Sequence, residues 1–282
     1  MKVVRTPNEL RETLQSLRLD TTVGMVPTMG NLHEGHLALV RRARADCDAV
    51  VATIFVNPLQ FGATEDLDSY PRSFEADCKV LDSLEVEILF SPTPETMYPH
   101  GQTEQTKTIV PKLGSSLCGE RRTGHFDGVT TVVAKLFNLV QPDKAYFGEK
   151  DWQQLTIIRK MAADLNFQIE AIGVPTVRAE DNLALSSRNQ YLSEEQRQLA
   201  PQLYQELCSV REAVRSGNTD YSYQEERAMH ALRALGFRPD YVAIRDADSL
   251  NPPKANSNNR RVFGAAHLGQ ARLIDNIPID LA

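Results

Sequence analysis

His33 and His36 close the run Pro27-Thr28-Met29-Gly30-Asn31-Leu32-His33-Glu34-Gly35-His36, which passes from a β-rich stretch into a helical pattern. Gly30 and Gly35 let backbone approach a ligand closely, and the N-terminus of the following helix offers N–H groups to an anion. Residues three apart share a face on a helical turn. Two imidazoles there can donate to phosphate oxygens and stabilise charge developing at a transferring phosphorus. The same pair would also serve as helix caps or surface residues. A zinc helix of the His-Glu-x-x-His type needs its histidines four apart, and no third ligand is evident here. The segment contains neither Gly-x-Gly-x-x-Gly nor Gly-Lys-Ser/Thr.

Three other segments carry polar groups in turns. In Phe147-Gly148-Glu149-Lys150-Asp151-Trp152-Gln153-Gln154, Lys150 can neutralise phosphate, Asp151 can accept from a ribose hydroxyl, and Gln154 both donates and accepts. An acidic first helical turn would favour the helix dipole without any ligand. Leu183-Ala184-Leu185-Ser186-Ser187-Arg188-Asn189 combines two hydroxyls and a guanidinium, a compact donor set for polyphosphate, or a serine-rich loop with a surface arginine. Gln60, in Phe55-Val56-Asn57-Pro58-Leu59-Gln60, could bind a small polar substrate at a strand end or be an ordinary loop residue.

The elements that must position these groups follow from pattern and composition. The chain has 282 residues, 41% hydrophobic and 24% charged, a globular composition whose length suggests two domains. Strand-like runs at 21–27, 49–56, 86–90, 144–148 and 169–174 alternate with helical patterns at 37–46, 70–84 and 152–165. Such alternation predicts a parallel α/β sheet with its ligand crevice at the carboxyl ends of the strands. After Gly128, Val129, Val132, Val133, Leu136, Phe137 and Val140 form one apolar helical stripe. Within the helix at 152–165, Leu155, Ile158, Met161, Ala162 and Leu165 are expected to face inward. Beyond Pro175 the texture changes to long amphipathic helices at 194–216 and 223–235, then strands at 241–244 and 261–266. The stretch 251–259 reads as a polar surface loop. A first domain over 1–175 and a smaller α+β domain over 176–282 are expected.

The formal net charge is −6, so electrostatics gives no case for nucleic-acid or anionic-membrane binding. No apolar run approaches the roughly 18 residues of a spanning helix, and no signal-peptide core is visible at 1–5. Cys47, Cys78, Cys118 and Cys208 are scattered, as expected of reduced, buried thiols in a cytoplasmic protein.

Taken together and in order, these segments resemble the pantoate–β-alanine ligase (pantothenate synthetase) family. The resemblance rests on the 27–36 run, on Phe55-Val56-Asn57-Pro58 with Gln60-Phe61, and on Gly124-His125-Phe126 with Gly128-Val129. It continues through Phe147 to Gln154, residues 183–189 and Arg272-Leu273-Ile274-Asp275-Asn276, and covers essentially the whole chain. His-x-Gly-His alone is shared by the wider nucleotidyltransferase superfamily; the ordered set is specific. The chain departs once, reading Asp181-Asn182-Leu183-Ala184 where the family has Asp-Gly-Leu-Ala. Asn tolerates positive φ better than most non-glycine residues, so a turn can survive there.

The resemblance implies a Rossmann-like nucleotidyltransferase domain, with 176–282 acting as a lid. It implies ATP-dependent condensation of (R)-pantoate with β-alanine through an enzyme-bound pantoyl adenylate, releasing AMP and pyrophosphate. His36 would be the active-site acid, with His33 and Lys150 as catalytic partners. Met29, Gly30, Asn31, Leu32, His33, Glu34, Gly35, His36, Gly148, Glu149, Lys150 and Asp151 would bind ATP, joined by Val177, Leu185, Ser186, Ser187 and Arg188. Gln60 and Gln154 would bind pantoate, Gln60 also touching β-alanine. Mg²⁺ is expected as MgATP, its protein ligands open and Asp77 a possible outer contact. A homodimer is implied as well. Rival readings are another nucleotidyltransferase, which has no reason to carry Gln60 and Gln154, and a catalytically silent ATP-binding module, which has no reason to keep His36, Lys150 and Arg188.

Overall fold

Val23–Thr28 and Ala49–Ile54 are near-continuous apolar runs because both faces of these strands are covered, Met25, Val26, Val50, Val51 and Ala52 having no exposed surface. They form the middle of the first of two compact units in a computed structural model that describes residues 1–17, 21–63, 65–254 and 257–280. The first unit comprises Met1–Ser115, Arg122–Glu149 and Gln154–Pro175. Its strands are β1 (Lys2–Val4), β2 (Val23–Thr28), β3 (Ala49–Ile54), β4 (Ile88–Phe90), β5 (Lys144–Gly148) and β6 (Glu170–Val174). They build a six-stranded parallel sheet in the order β1-β4-β3-β2-β5-β6. The order reverses between β2 and β5, so the chain leaves their carboxyl ends in opposite directions, the switch point at which open α/β sheets bind ligands. The residues after Thr28 and after Gly148 both emerge at that point.

The helices are α1 (Pro7–Gln15), α2 (Glu34–Asp46), α3 (Phe74–Ser83), α4 (Pro94–Met97), α5 (Pro111–Gly114), α6 (Cys118–Arg121), α7 (His125–Val140) and α8 (Trp152–Asp164). Leu39, Val40 and Ala43 of α2 and Leu81 of α3 pack on Val26, Val50, Ala52 and Leu89 of the sheet. The α7 stripe is buried as the spacing requires, but the helix begins at His125, three residues before Gly128. Leu165 is corrected outright: it lies just beyond α8, 52% exposed.

The second unit comprises Ser116–Arg121, Lys150–Gln153 and Thr176–Ala282. In it, α9 (Glu194–Leu199), α10 (Gln202–Arg215) and α11 (Tyr221–Ala234) accompany an antiparallel sheet of β7 (Arg238–Asp246), β8 (Arg260–Leu268) and β9 (Ala271–Pro278), in that order. Leu203, Leu207, Val210 and Leu232 pack on Val242, Ile244, Val262 and Leu273 to form its core. The single helix expected over 194–216 is two helices, because Pro201 has no N–H for the helical ladder and its ring crowds the preceding turn. β1, α1 and β9 lie outside the expected elements. Cys47 and Cys118 are buried but Cys78 and Cys208 are only half-buried, correcting the expectation for those two. Ala255 and Asn256 of the expected 251–259 loop lie outside the described residues. Among the described residues, no helix is long and apolar enough to cross a membrane.

Candidate functional site

The loop after β2 is held from below by a carboxylate. Gly30 (φ 81°) and Asn31 (φ 51°) turn the chain in the left-handed region. The N–H groups of Asn31 and Leu32 then donate to the two oxygens of Asp77, each at 2.9 Å. Asp77 is 3% exposed, sits in the first turn of α3, and also accepts from Ser73 Oγ at 3.1 Å. It is a buried anchor for the loop, with both oxygens accepting from it.

His33 is the N-cap of α2, and the two histidines cap reciprocally. His33 Nδ1 accepts from the Gly35 N–H at 3.1 Å, and His36 Nδ1 accepts from the His33 N–H at 3.3 Å. Their ring centroids are 4.1 Å apart. The capping reading of the spacing is therefore right about Nδ1. A neutral imidazole that accepts at Nδ1 carries its proton on Nε2 and can donate there. The N–H groups of Asn31, Leu32 and Gly35 are turned to protein acceptors. Glu34 points elsewhere; its exposed carboxylate pairs with Arg41 at 2.8 Å.

Gln60 ends the short turn Pro58–Gln60 and is braced on both sides. Asn57, 1% exposed, donates from Nδ2 to Gln60 Oε1 and to the Gly128 carbonyl, both at 3.1 Å. Its Oδ1 accepts from Tyr98 Oη at 2.7 Å. Burial pushes the Tyr98 phenol well above its ordinary range, so it stays a donor. Gln60 Nε2 reaches Met29 Sδ at 3.2 Å, tying this turn to the loop that carries the histidines. On the backbone side, His125 Nδ1 donates to the Gln60 carbonyl at 2.8 Å and its Nε2 accepts from Arg122 Nη1 at 2.9 Å. Arg122 in turn pairs with Glu65 at 2.5 and 2.7 Å. A cavity of about 120 Å³ opens beside this turn, bordered by Gln60, Lys107, Thr123, His125 and Asp127.

Burial works against ionisation of Glu65, yet the hydrogen bond and charge of Arg122 hold its carboxyl below the ordinary 4.5. A lowered folded pKa contributes stability that is present above the unfolded value and lost as pH falls through the folded one. Glu65→Gln should therefore melt below wild type by a margin that is constant above pH 4.5 and narrows in more acidic buffer. Thermal unfolding of both proteins across pH checks this, and a margin that widens in acid would remove the ion pair from the account.

In the second unit, the Val177 carbonyl accepts from the Leu185 N–H at 3.0 Å, closing a hairpin over 177–185. Asn182 adopts φ 71° near its tip, the conformation for which the family's glycine would be used, and Asn tolerates it. Ser186 then caps the short helical turn Ser187–Tyr191, its Oγ accepting from the Arg188 N–H at 3.3 Å. Lys150 and Ser186 border one small cavity together with Asn189 and Asp275. Lys150 Nζ lies 3.7 Å from Asp151. Of the adjacent glutamines, Gln153 is 6% exposed and bonds the backbone of Ser116 and Cys118, a structural role. Gln154 lies half-buried in the first turn of α8, in the first unit, as do Gly148 and Glu149 at the end of β5. Among the described residues, no group of three His, Cys, Asp or Glu side chains is placed to hold a metal ion.

A family model described as pantoate-β-alanine ligase matches residues 2–278. The chain belongs to the pantoate–β-alanine ligase family. A pantothenate synthetase from Chromohalobacter salexigens is 54% identical over 274 residues, 97% of this chain and 96% of that protein. The crystal structure of pantothenate synthetase from Thermus thermophilus superimposes with a TM-score of 0.92 at 48% identity, covering 100% of both chains. A pantoate-β-alanine ligase from Francisella tularensis, complexed with beta-gamma ATP and β-alanine, gives a TM-score of 0.84 at 32% identity, covering 100% of this chain and 99% of that one.

Membership in the pantoate–β-alanine ligase family makes the chain an ATP-using acid–amino-acid ligase. It also sharpens what residue reasoning missed. Asn57 and His125 stand inside the motifs that carry the resemblance, yet their work, bracing Gln60, is tertiary. Asp77 has no local signal beyond an acidic residue in a helix's first turn, where the dipole alone would explain it.

Proposed function

We propose that the groups at the carboxyl ends of β2 and β5 activate pantoate for the reaction of this family, the ATP-dependent condensation of (R)-pantoate with β-alanine to pantothenate. A carboxylate is a poor acylating agent because oxide would have to leave. Attack of a pantoate carboxylate oxygen on the α-phosphorus of ATP forms a P–O bond and breaks the bond to pyrophosphate, giving pantoyl adenylate. The amine of β-alanine then attacks the acyl carbon, the C–O bond to AMP breaks, and the nitrogen loses its proton. Neither step needs a covalent enzyme intermediate, so positioning and charge stabilisation carry the catalysis.

The observation that supports this reading most is the pairing of Nδ1-capped His33 and His36 with a Gln60 amide tied to the same loop. Their Nε2 protons suit a pentacoordinate α-phosphate whose negative charge grows as pantoate attacks. His36 is assigned as the acid, with His33 sharing the phosphate. Met29 to Gly35, Gly148 and Glu149 are assigned to ATP, and Gln60 and Gln154 to pantoate. Lys150, Asp151, Val177, Leu185, Ser186, Ser187 and Arg188 are assigned to the phosphates and ribose of the same nucleotide. Residues 1–175 would form the ATP/pantoate domain and 176–282 a lid that protects the adenylate from water. Magnesium would enter as MgATP, with phosphate oxygens and water supplying most of its ligands. The family resemblance also supports a cytoplasmic homodimer.

Mixed with MgATP and pantoate alone, the protein should release a burst of about one pyrophosphate per site, as a preorganised two-step ligase does, and turn over only when β-alanine is added. Pyrophosphate release that ignores pantoate would overturn the assignment of the acid substrate. Gln154→Ala should mainly raise the pantoate requirement, by about tenfold for one lost charge-assisted bond. Steady-state kinetics with each substrate varied in turn checks this, and a defect confined to ATP would contradict the role.

A further inference from the structure

We infer that Asp275 and Asn276 of β9 are positioning residues that set Lys150 against the loop carrying Ser186, Ser187 and Arg188, an inference that rests on the assignment of those residues to ATP. Both ATP-assigned segments of the second unit are irregular. Lys150 lies in the single 3-10 turn Glu149–Asp151, and Ser187 and Arg188 in another, Ser187–Tyr191. Such turns lack the repeated ladder that would fix their place, so something rigid must hold each.

β9 supplies it through two adjacent residues, whose side chains leave a strand on opposite faces. Asp275 accepts from Arg178 Nη1 and Nη2 at 2.6 and 2.9 Å, a bidentate pair with 4% of the carboxylate exposed. Arg178 also donates to the Asn182 carbonyl at 3.0 Å and stacks on Tyr204, its guanidinium carbon 4.1 Å from the ring centroid. It thereby holds the hairpin that delivers Leu185 and Ser186. Asn276, 4% exposed, donates from Nδ2 to the Lys150 carbonyl at 2.9 Å. Its Oδ1 accepts from Arg261, which lies 3.6 Å over the Trp152 ring next along the chain from Lys150 and Asp151.

One rigid dipeptide thus carries both segments, and Lys150 and Ser186 border the same small cavity as Asp275. The backbone at Lys150 and the hairpin leading to Ser186 are both referred to neighbouring residues of one strand. A buried bidentate pair and a buried amide with its oxygen and nitrogen both bonded are poor stabilisers relative to apolar packing but good geometric locks.

The test is Asn276→Ala, which removes the tether to Lys150 while leaving Asp275 and the strand in place. Pantoate-dependent pyrophosphate formation in a single turnover should fall by up to about 100-fold, as for a displacement of the order of an ångström, with the KM for ATP raised. Conversion of supplied pantoyl adenylate and β-alanine to pantothenate should stay at the wild-type rate. In a double-mutant cycle, Asn276→Ala should add little once Lys150→Ala is present, because the two act as one unit. Equal losses in both half-reactions, or full additivity with Lys150→Ala, would overturn the positioning role and leave Asn276 as a structural residue. If Lys150→Ala and Arg188→Ala leave pyrophosphate formation untouched, the failure lies in the assignment of the ATP residues instead. Asp275→Asn, which leaves Arg178 without its charge partner, should reproduce the ATP defect in whatever fraction folds, read by active-site titration.

Discussion

Gly128→Ala is expected to raise the pantoate KM sharply and to lower kcat/KM for pantoate by roughly 100-fold, the scale of an ångström-sized misplacement. Added at this position, a methyl group would lie 2.3 Å from the Leu59 carbonyl oxygen, 2.4 Å from its carbon and 2.6 Å from the Gln60 nitrogen. All three are backbone atoms, so no side-chain rotation relieves the overlap. Helix α7 cannot retreat freely either, because the Gly128 carbonyl accepts from Asn57, whose Nδ2 also holds Gln60 Oε1. The turn at Pro58–Gln60 must therefore move, and the Gln60 amide with it. Overpacking of this kind costs about 1–3 kcal/mol of stability, which lowers Tm but leaves most molecules folded at assay temperature. Varying pantoate and ATP separately, beside a thermal melt, separates the two effects. A folded variant with an unchanged pantoate KM would detach the Gln60 turn from pantoate binding.

The same geometry shows which parts of the molecule the sequence could disclose. The parallel sheet was legible because burial on both faces forces long apolar runs, as at Ala49–Ile54, and because the turns after such strands are where ligands bind. β1, three residues long, and β9, whose Asp275 and Asn276 interrupt any apolar pattern, carry no comparable signal. Pro201 did carry one, but helical periodicity continues across it from α9 to α10 and masks the break. Within the site, the His33–His36 spacing supported two readings that turn out to be compatible, since an imidazole has two nitrogens and the cap uses only Nδ1. Contacts such as Asp77 with Asn31, or Asn276 with Lys150, join segments 46 and 126 residues apart. Nothing in local composition distinguishes those side chains from ordinary polar residues, and only the fold brings them to their partners.

His36→Ala is expected to slow adenylate formation by roughly 10²-fold or more, the effect of removing one donor aimed at a developing charge. It should also destabilise the protein by about 0.5–2 kcal/mol, because the His33 N–H loses its cap acceptor. The two losses have different atoms as their cause and can be separated by shape. The side-chain oxygen of Asn reaches about where an imidazole places Nδ1, whereas the amide nitrogen of Gln reaches about where it places Nε2. His36→Asn should therefore keep the reciprocal cap and much of the wild-type Tm while remaining as slow as His36→Ala. His36→Gln should recover part of the rate with a Tm nearer that of the alanine variant. Single-turnover pyrophosphate release and thermal melts on the three proteins give both quantities. A wild-type rate in His36→Asn would assign the Nδ1 cap, and with it the position of the loop, as the whole contribution of His36; a slow, stable His36→Asn places the catalytic effect on Nε2.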